Sequence, residues 1–92
     1  MDKIDYAHVA EALKVVAHPV RLKVIKVLKA TELSVTEIQK RLGIKQSITS
    51  QHLNSMKNKG ILKARREGNM VYYSVLNRNI LKIIDCIQSC KK

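Results

Sequence analysis

The hydrophobic pattern of this chain changes its period at Gly60. Before that residue, apolar side chains recur every three or four positions, which predicts amphipathic helices. Beyond it, the stretch "ILKARREGNMVYYSV" carries short β-prone runs around "EGN", which predicts two antiparallel strands joined by a Gly-Asn turn. A chain of 92 residues suffices for one domain. We therefore predict a single domain over residues 1–92, mainly α, with a β-hairpin at about 62–75.

Proline divides the first helical region in two. Pro19 follows His18 and is typical of the first turn of a helix, so one helix ends before this pair and a second begins there. A short third helix is predicted from Ser34, with Glu37 at the spacing of a capping box and Gly43 at the close. The third and fourth helices together cover about 35–59.

The fourth helix, "QSITSQHLNSMKNK", has one largely apolar side and one small-polar side. At 100° per residue, Thr49, Leu53 and Met56 share the first side. The other side has only hydroxyl and amide side chains, and no acidic residue occurs between Glu37 and Glu67. A merely solvated face usually carries Glu and Lys in comparable numbers, whereas amides and hydroxyls pair with base edges and lysines hold phosphates. The predicted DNA contacts here are Ser47, Ser50, Gln51 and Asn54, flanked by Lys45 and Lys57.

The charge of the chain favours a polyanionic partner. Eighteen Lys and Arg against seven Asp and Glu give a formal net charge of +11, which favours nucleic acid first and a membrane surface second. No apolar run approaches the ~20 residues of a membrane span. The N-terminus "MDKIDYAHVAE" is charged where a signal peptide needs an apolar stretch. We expect a cytoplasmic protein with no membrane partner.

The predicted hairpin is basic. Arg65 and Arg66 approach its turn, which contains Asn69. A basic hairpin directly after a DNA-reading helix would lie along the phosphate backbone or in the minor groove as a wing. The alternative is a solvated hairpin with no part in binding. All three residues are predicted DNA contacts.

The last helix, predicted at about 77–90 with Asn77 as its cap, presents an apolar stripe that needs a cover. Three further helices and a hairpin cannot readily cover both this stripe and the apolar face of the first helix. Burial against a second copy is the economical solution, so we predict a homodimer. The predicted interface on the first and last helices comprises Tyr6, Val9, Leu13, Ile80, Ile83, Ile84 and Ile87.

The chain resembles the arsenic-repressor-like (ArsR/SmtB) family of winged helix-turn-helix regulators from about residue 9 to 88. The resemblance rests on "LKVVAHPVRLKVIKVL", "LSVTEIQKRLGIKQSITSQHLNSMKNKGIL" and "RREGNMVYYSV". It implies a winged helix-turn-helix fold, with helices 1 and 5 at a dimer interface. It also implies a dimeric, operator-binding repressor that a small inducer releases from double-stranded DNA. The resemblance also implies that four residues of the fourth helix face bases or nearby phosphates: Gln46, Ser47, Ser50 and Gln51.

The chain departs from the family at its metal sites. Many members sense thiophilic metals through a Cys-x-Cys pair on the third helix, where this chain has Ser34 and Thr36. Others use Asp and His ligands on the last helix, but no histidine follows His52, and Asp85 alone cannot make a closed zinc site. We therefore predict neither of these metal sites and no cofactor, and the inducer remains unidentified.

Cys86 and Cys90 lie four positions apart, on one side of the last helix. Three readings remain open: small residues at the edge and end of the apolar stripe, a redox or persulfide-type sensor, and a soft-metal chelate doubled across a dimer.

Other classes of function fit the residues less well. An enzyme would need a phosphate loop or a nucleophile with its base, and the sequence offers neither. An RNA-binding module would be expected to stack bases on exposed aromatics, but Tyr72 and Tyr73 alternate within one strand, so one of them must face the core. A sequence-independent architectural DNA-binding protein is the main alternative, since the net charge suffices for non-specific affinity.

Overall fold

The computed structural model describes residues 4–89 of the chain. Within them, five helices and a three-stranded antiparallel sheet form a winged helix-turn-helix, which confirms the predicted fold class. The elements in chain order are α1 (Tyr6–Val16), α2 (Pro19–Val27), β1 (Leu33–Ser34), α3 (Val35–Leu42), α4 (Gln46–Asn58), β2 (Leu62–Glu67), β3 (Met70–Val75) and α5 (Arg78–Ser89).

The junction between α1 and α2 forms as the proline predicts. Pro19 occupies the first turn of α2, where its missing N–H costs no helical hydrogen bond. His18 caps the helix, because its Nδ1 accepts a hydrogen bond from the backbone N–H of Val20 at 3.1 Å. His18 therefore joins the two helices as a capping group.

Both ends of α3 are fixed by its own sequence. The backbone N–H of Ser34 donates to the carboxylate of Glu37 at 2.9 Å, and the N–H of Glu37 donates to Ser34 Oγ at 3.2 Å. This reciprocal pair is the predicted capping box. Gly43 ends the helix with a φ of 68°, a left-handed conformation that glycine adopts without strain.

The hairpin of β2 and β3 has a two-residue turn at Gly68-Asn69, because Glu67 pairs with Met70. Gly68 has a φ of 62°, and Asn69 has no positive φ. Glycine at the first central position is characteristic of a type II′ turn, whose twist suits a hairpin. The sheet also contains β1, where Leu33 pairs with Tyr73. The sequence does not predict this strand, since two residues are too few to show an alternating pattern.

Among the described residues, Tyr73 is the only aromatic side chain of an otherwise mainly aliphatic core. α2, α3, α4 and the start of β2 all contribute to it, and the following side chains are essentially inaccessible: Val24, Ile25, Leu28, Ile38, Leu53, Met56, Ile61 and Leu62.

The start of α5 also packs into this core, which corrects one part of the predicted dimer interface. Ile80 is only 4% exposed and belongs to the core of its own chain together with Leu81. Ile84 is partly buried against the same core. The helix turns two of its four stripe residues inward, because α5 packs back against α2.

Candidate nucleic-acid interface

The rotation of α4 about its axis is fixed by three buried side chains. Thr49, Leu53 and Met56 are all fully buried, as the helical spacing predicts. The hydroxyl of Thr49 is satisfied within the helix, donating to the carbonyl of Lys45 at 2.9 Å. With this side locked into the core, the opposite side of α4 must face outward.

The outward side of α4 carries the predicted contact residues. Ser50 is half-buried, and the remaining predicted side chains on and beside the helix are exposed: Lys45, Gln46, Ser47, Gln51, Asn54 and Lys57. Within residues 4–89 none of these side chains is engaged in a hydrogen bond or ion pair, so their polar groups remain available. α4 itself contains no carboxylate that would repel a phosphate.

The start of α4 and the turn of the wing meet at a groove of about 200 Å³. Gln46 lines it from the helix and Asn69 from the turn, with Met70 and Val71 beside them. Ser34 and Thr36 also line it. Two predicted DNA contacts from separate elements are therefore brought together at one end of the helix.

The two wing arginines differ in their surroundings. Arg65 donates from Nη2 to Glu32 at 2.7 Å and from Nη1 to Glu67 at 2.8 Å, and its guanidinium lies 5.0 Å from the centroid of the Tyr72 ring. The hydrogen bond from Arg65 lowers the pKa of Glu32, and the two carboxylates raise the pKa of Arg65 above its usual range. Arg65 is thus held within its own chain.

Arg66 points to the opposite face of β2, since side chains alternate along a strand. It is exposed, and no ion pair or hydrogen bond holds its guanidinium in the part of the chain that the structure describes. Arg66 can therefore reach a phosphate without breaking an existing contact.

Sequence reasoning missed Ile48 in the first turn of α4. Its side chain is 42% exposed, although it is apolar and lies on the helix that carries the predicted DNA contacts. The helical wheel contains the signal, because Ile48 precedes the buried Thr49 and lies about 100° away from it.

Sequence reasoning also missed Arg21, whose side chain is half-buried between α1, α2 and α4. Its Nε donates to Nδ1 of His52 at 3.0 Å, and its Nη1 donates to the carbonyl of Val15 at 2.9 Å. The rings of His52 and His18 lie 4.7 Å apart, centroid to centroid. Burial first, and then the charges of His18 and Arg21, lower the pKa of His52 below its ordinary value.

A second surface is formed by α1 and the outer side of α5. Its apolar side chains are exposed: Tyr6 (66%), Val9 (43%), Leu13 (42%), Ile83 (42%) and Ile87 (69%). A groove of about 180 Å³ runs between the two helices, lined among others by Val9, Leu13, Ile80 and Ile83. The structure thus brings Val9, Leu13 and Ile83 of the predicted dimer interface together at one groove, whereas Ile80 and Ile84 pack against the core of their own chain.

The structure describes one of the two cysteines. Cys86 is an exposed free thiol, and Cys90 lies outside the described residues. Among residues 4–89 there is no group of three or more His, Cys, Asp and Glu side chains that could hold a metal ion. In the same range, no helix is both long enough and apolar enough to span a membrane.

A helix-turn-helix whose second helix presents a polar face without carboxylates, followed by a basic hairpin, defines a DNA-binding protein of the winged helix class. Comparison with known proteins places the chain more narrowly.

The sequence model of the family described as "Bacterial regulatory protein, arsR family" matches residues 18–64. The chain is 43% identical over 93 residues to the transcriptional repressor PagR of Bacillus anthracis, covering 94% of this chain and 93% of PagR. HlyU from Vibrio cholerae N16961 has a similar structure, with a TM-score of 0.85, 31% identity, and coverage of 97% of this chain and 96% of HlyU. The homodimeric winged helix-turn-helix DNA-binding domain of Mb0332 from Mycobacterium bovis is also similar, with a TM-score of 0.81, 27% identity, and coverage of 91% and 78%.

The chain belongs to the arsR family of bacterial regulatory proteins. It is a DNA-binding transcriptional regulator and not an enzyme. The family resemblance drawn from the sequence motifs is confirmed.

Proposed function

We propose that this protein is a homodimeric transcriptional repressor that binds an inverted-repeat operator in the cytoplasm. The observation that carries the proposal is the polar outward side of α4. This side has no carboxylate, and its predicted contact side chains make no hydrogen bond or ion pair within residues 4–89. The other side of the helix is buried in the core. The relative PagR is named a transcriptional repressor, and the Mb0332 domain is described as homodimeric. Both descriptions support the proposal.

Base readout is assigned to the outward side chains of α4. Amides bind adenine edges in the major groove and serine hydroxyls bind several base groups, which suits Gln46, Ser47, Ser50, Gln51 and Asn54. Phosphate contacts are assigned to Lys45 and Lys57, which flank this set, and to Arg66 of the wing. Arg65, fixed by Glu32 and Glu67, orients the wing, and Asn69 lies at the tip that approaches the duplex.

Dimerisation is assigned to the apolar face of α1 and α5. Five large apolar side chains on one face of a small domain form a patch that a second copy would remove from water. Symmetric pairing of two copies through this face would present two α4 helices to two half-sites, which predicts an inverted repeat.

A sequence-independent DNA-binding protein is the second candidate, favoured by the net charge of +11. Thiol- or metal-dependent release through Cys86 and Cys90 is a separate addition to the proposed function, and the exposure of Cys86 permits it.

Selection from a random duplex library separates these candidates. The selected duplex is then competed against random duplex at several salt concentrations, with reductant, oxidant and a panel of metals in parallel. Recovery of an inverted repeat that binds at least about a thousandfold more tightly than random duplex supports the proposed function. Recovery of no consensus, with equal affinity for all duplexes, would establish the architectural alternative.

A further inference from the structure

The contact between Arg21 and His52 joins the DNA-reading helix to the junction of α1 and α2. His52 follows Gln51 on α4, and Arg21 binds it while also binding the last turn of α1 through the carbonyl of Val15. The core fixes α4 on one side through Thr49, Leu53 and Met56. Arg21 is a second point of attachment, closer to the outward side.

The attachment depends on an uncharged imidazole. Arg21 Nε is always a donor, so the Nδ1 of His52 that receives its hydrogen bond must carry a lone pair and no proton. The neutral ring then holds its proton on Nε2. A proton added to Nδ1 removes the acceptor and places a positive imidazolium beside the guanidinium.

His18 lies beside His52, with the two ring centroids 4.7 Å apart. Its Nδ1 accepts the backbone N–H of Val20 at 3.1 Å, which fixes the ring at the start of α2. A positive charge on His18 therefore opposes a positive charge on His52.

We propose that Arg21 and His52 form a proton-sensitive tie that positions α4, so that discrimination between operator and random DNA is lost in mild acid. Arg21 acts through His52 and is a positioning residue rather than a DNA contact. This inference rests on the proposed function of sequence-specific binding and extends it to regulation of the same helix.

The surroundings of His52 favour its neutral form. Burial, the charge of His18 and the charge of Arg21 all lower its pKa from the ordinary value of 6.5. α1 presents the carbonyl of Val15 to Arg21, and among the described residues no charged group of α3 or the wing shifts the pKa of His52. Within residues 4–89, no carboxylate contributes to the pKa of His52, so none stabilises an imidazolium at this site.

Two effects of acid on DNA binding have opposite signs. Protonated histidines add positive charge, which raises affinity for every duplex. Loss of the tie displaces α4, which lowers affinity only where base contacts matter. The ratio of operator affinity to random-duplex affinity isolates the second effect, since the first cancels.

The first measurement is therefore this ratio for the wild-type dimer at constant ionic strength, from pH 8.0 down to the pH at which NMR shows His52 to be protonated. The duplex selected from the random library is the operator probe, and a scrambled duplex of equal composition is its partner. The ratio is expected to fall as His52 takes up its proton, below its ordinary pKa of 6.5. Discrimination at pH 8.0 that stays constant after His52 is protonated overturns the tie while leaving the proposed function intact. Absence of discrimination at pH 8.0 refutes the proposed function instead.

Replacement of each histidine by asparagine assigns the effect, because the chain has three. The amide oxygen of His52→Asn stands near the position of Nδ1, accepts from Arg21 and does not titrate, so the ratio should remain high at all pH values. His18→Asn preserves a capping acceptor, and His8→Asn changes an exposed ring on α1, so both variants should keep the acid-dependent fall. A wild-type pH profile in His52→Asn would overturn the assignment.

Arg21→Ala should lower the ratio at pH 8.0 to the value that the wild type has once His52 is protonated, with no further pH dependence. Circular dichroism at each pH separates this loss from unfolding.

NMR titration of the wild-type protein without DNA is the measurement that does not depend on any variant. The imidazole protons of His52 and the backbone amides of α4 should shift with one common midpoint. Amides of α4 that do not respond when His52 titrates would refute a positioning role.

Discussion

Arg65 in the wing and Glu32 before β1 form a two-point ion pair across 33 positions of sequence, with Arg65 Nε at 3.0 Å and Nη2 at 2.7 Å from Glu32 Oε1. The two side chains are 50% and 38% exposed, so the pair contributes little to folding stability. Its effect is geometric, because it holds one face of β2 toward the loop before β1 and leaves Arg66 on the other face.

The two wing arginines should therefore respond differently to salt. Arg66→Ala is expected to reduce the log–log slope of affinity against salt by about one unit per protomer, since one phosphate contact is lost. Arg65→Ala is expected to change the slope much less, because its charge is already paired with Glu32 and Glu67. Equal slopes for the two variants would contradict this division of roles. Fluorescence anisotropy with random duplex at four salt concentrations measures both.

Gln51→Ala tests base readout. The variant should lose about 1–3 kcal/mol on the selected operator while binding random duplex almost as before. Thermal stability should hold or rise, because Gln51 is exposed and alanine is the better helix former. Equal losses on both duplexes would favour the architectural alternative.

Leu53→Ala is the matched control on the buried side of the same helix. Removing this fully buried side chain should cost about 2–5 kcal/mol of unfolding free energy. Binding to every duplex should fall together with the folded fraction.

Ile87→Glu tests the dimer face. Ile87 is 69% exposed, so a charge there should break the pairing of two copies without disturbing either fold. Sedimentation velocity should report a folded monomer, and affinity for the full inverted repeat should drop toward that of a half-site. Ile84→Glu is the less selective variant, because Ile84 also packs against the core of its own chain. A fully dimeric Ile87→Glu protein would move the interface elsewhere.

Ile48→Ala tests an apolar contact in the major groove, where the thymine methyl is the apolar group available. The variant should weaken binding to the selected operator, and replacing the contacted thymine by uracil should weaken the wild type to a similar extent. Ile48→Ala bound to the uracil duplex should lose no more binding free energy than either change causes alone. Additive losses would show that Ile48 and the methyl do not touch.

Folding stability should also depend on His52. The folded protein lowers its pKa below 6.5, so the unfolded chain binds the proton first as the pH falls. The contribution of neutral His52 to the free energy of unfolding is therefore complete above pH 6.5. This contribution is lost as the pH drops from 6.5 toward the pKa of His52 in the folded protein. Urea denaturation at pH 7.5 and pH 5.5 measures the loss, and His52→Asn should reduce it. An unchanged pH dependence in that variant would assign it to other groups.

Local signals in the sequence predicted most of the fold. Pro19, the Ser34–Glu37 pair and Gly43 each act within a few residues, so their spacing alone predicts where helices begin and end. The same holds for the turn at Gly68 and for the inward side of α4.

Local signals could not predict contacts between residues that lie far apart in the sequence. The bond from Arg21 to His52 spans 31 positions, and a single sequence contains no pattern that pairs these two residues. Arg65 appeared equivalent to Arg66 because the carboxylate of Glu32 lies far away along the chain. Ile80 was placed on an outer stripe because helical spacing indicates an apolar face but does not say which part of it the chain itself covers.

The two-residue turn at Gly68-Asn69 limits how the wing can change its reach. One residue added to each strand at the base of the hairpin would keep the turn and the pairing. It would also move every side chain beyond the insertion to the opposite face of its strand. Arg65 and Arg66 would then exchange surroundings. Only an even number of residues added to each strand preserves those faces. The wing can therefore lengthen in increments of two residues per strand, or about 7 Å, and a relative with an intermediate length would have to use a different turn or a bulge.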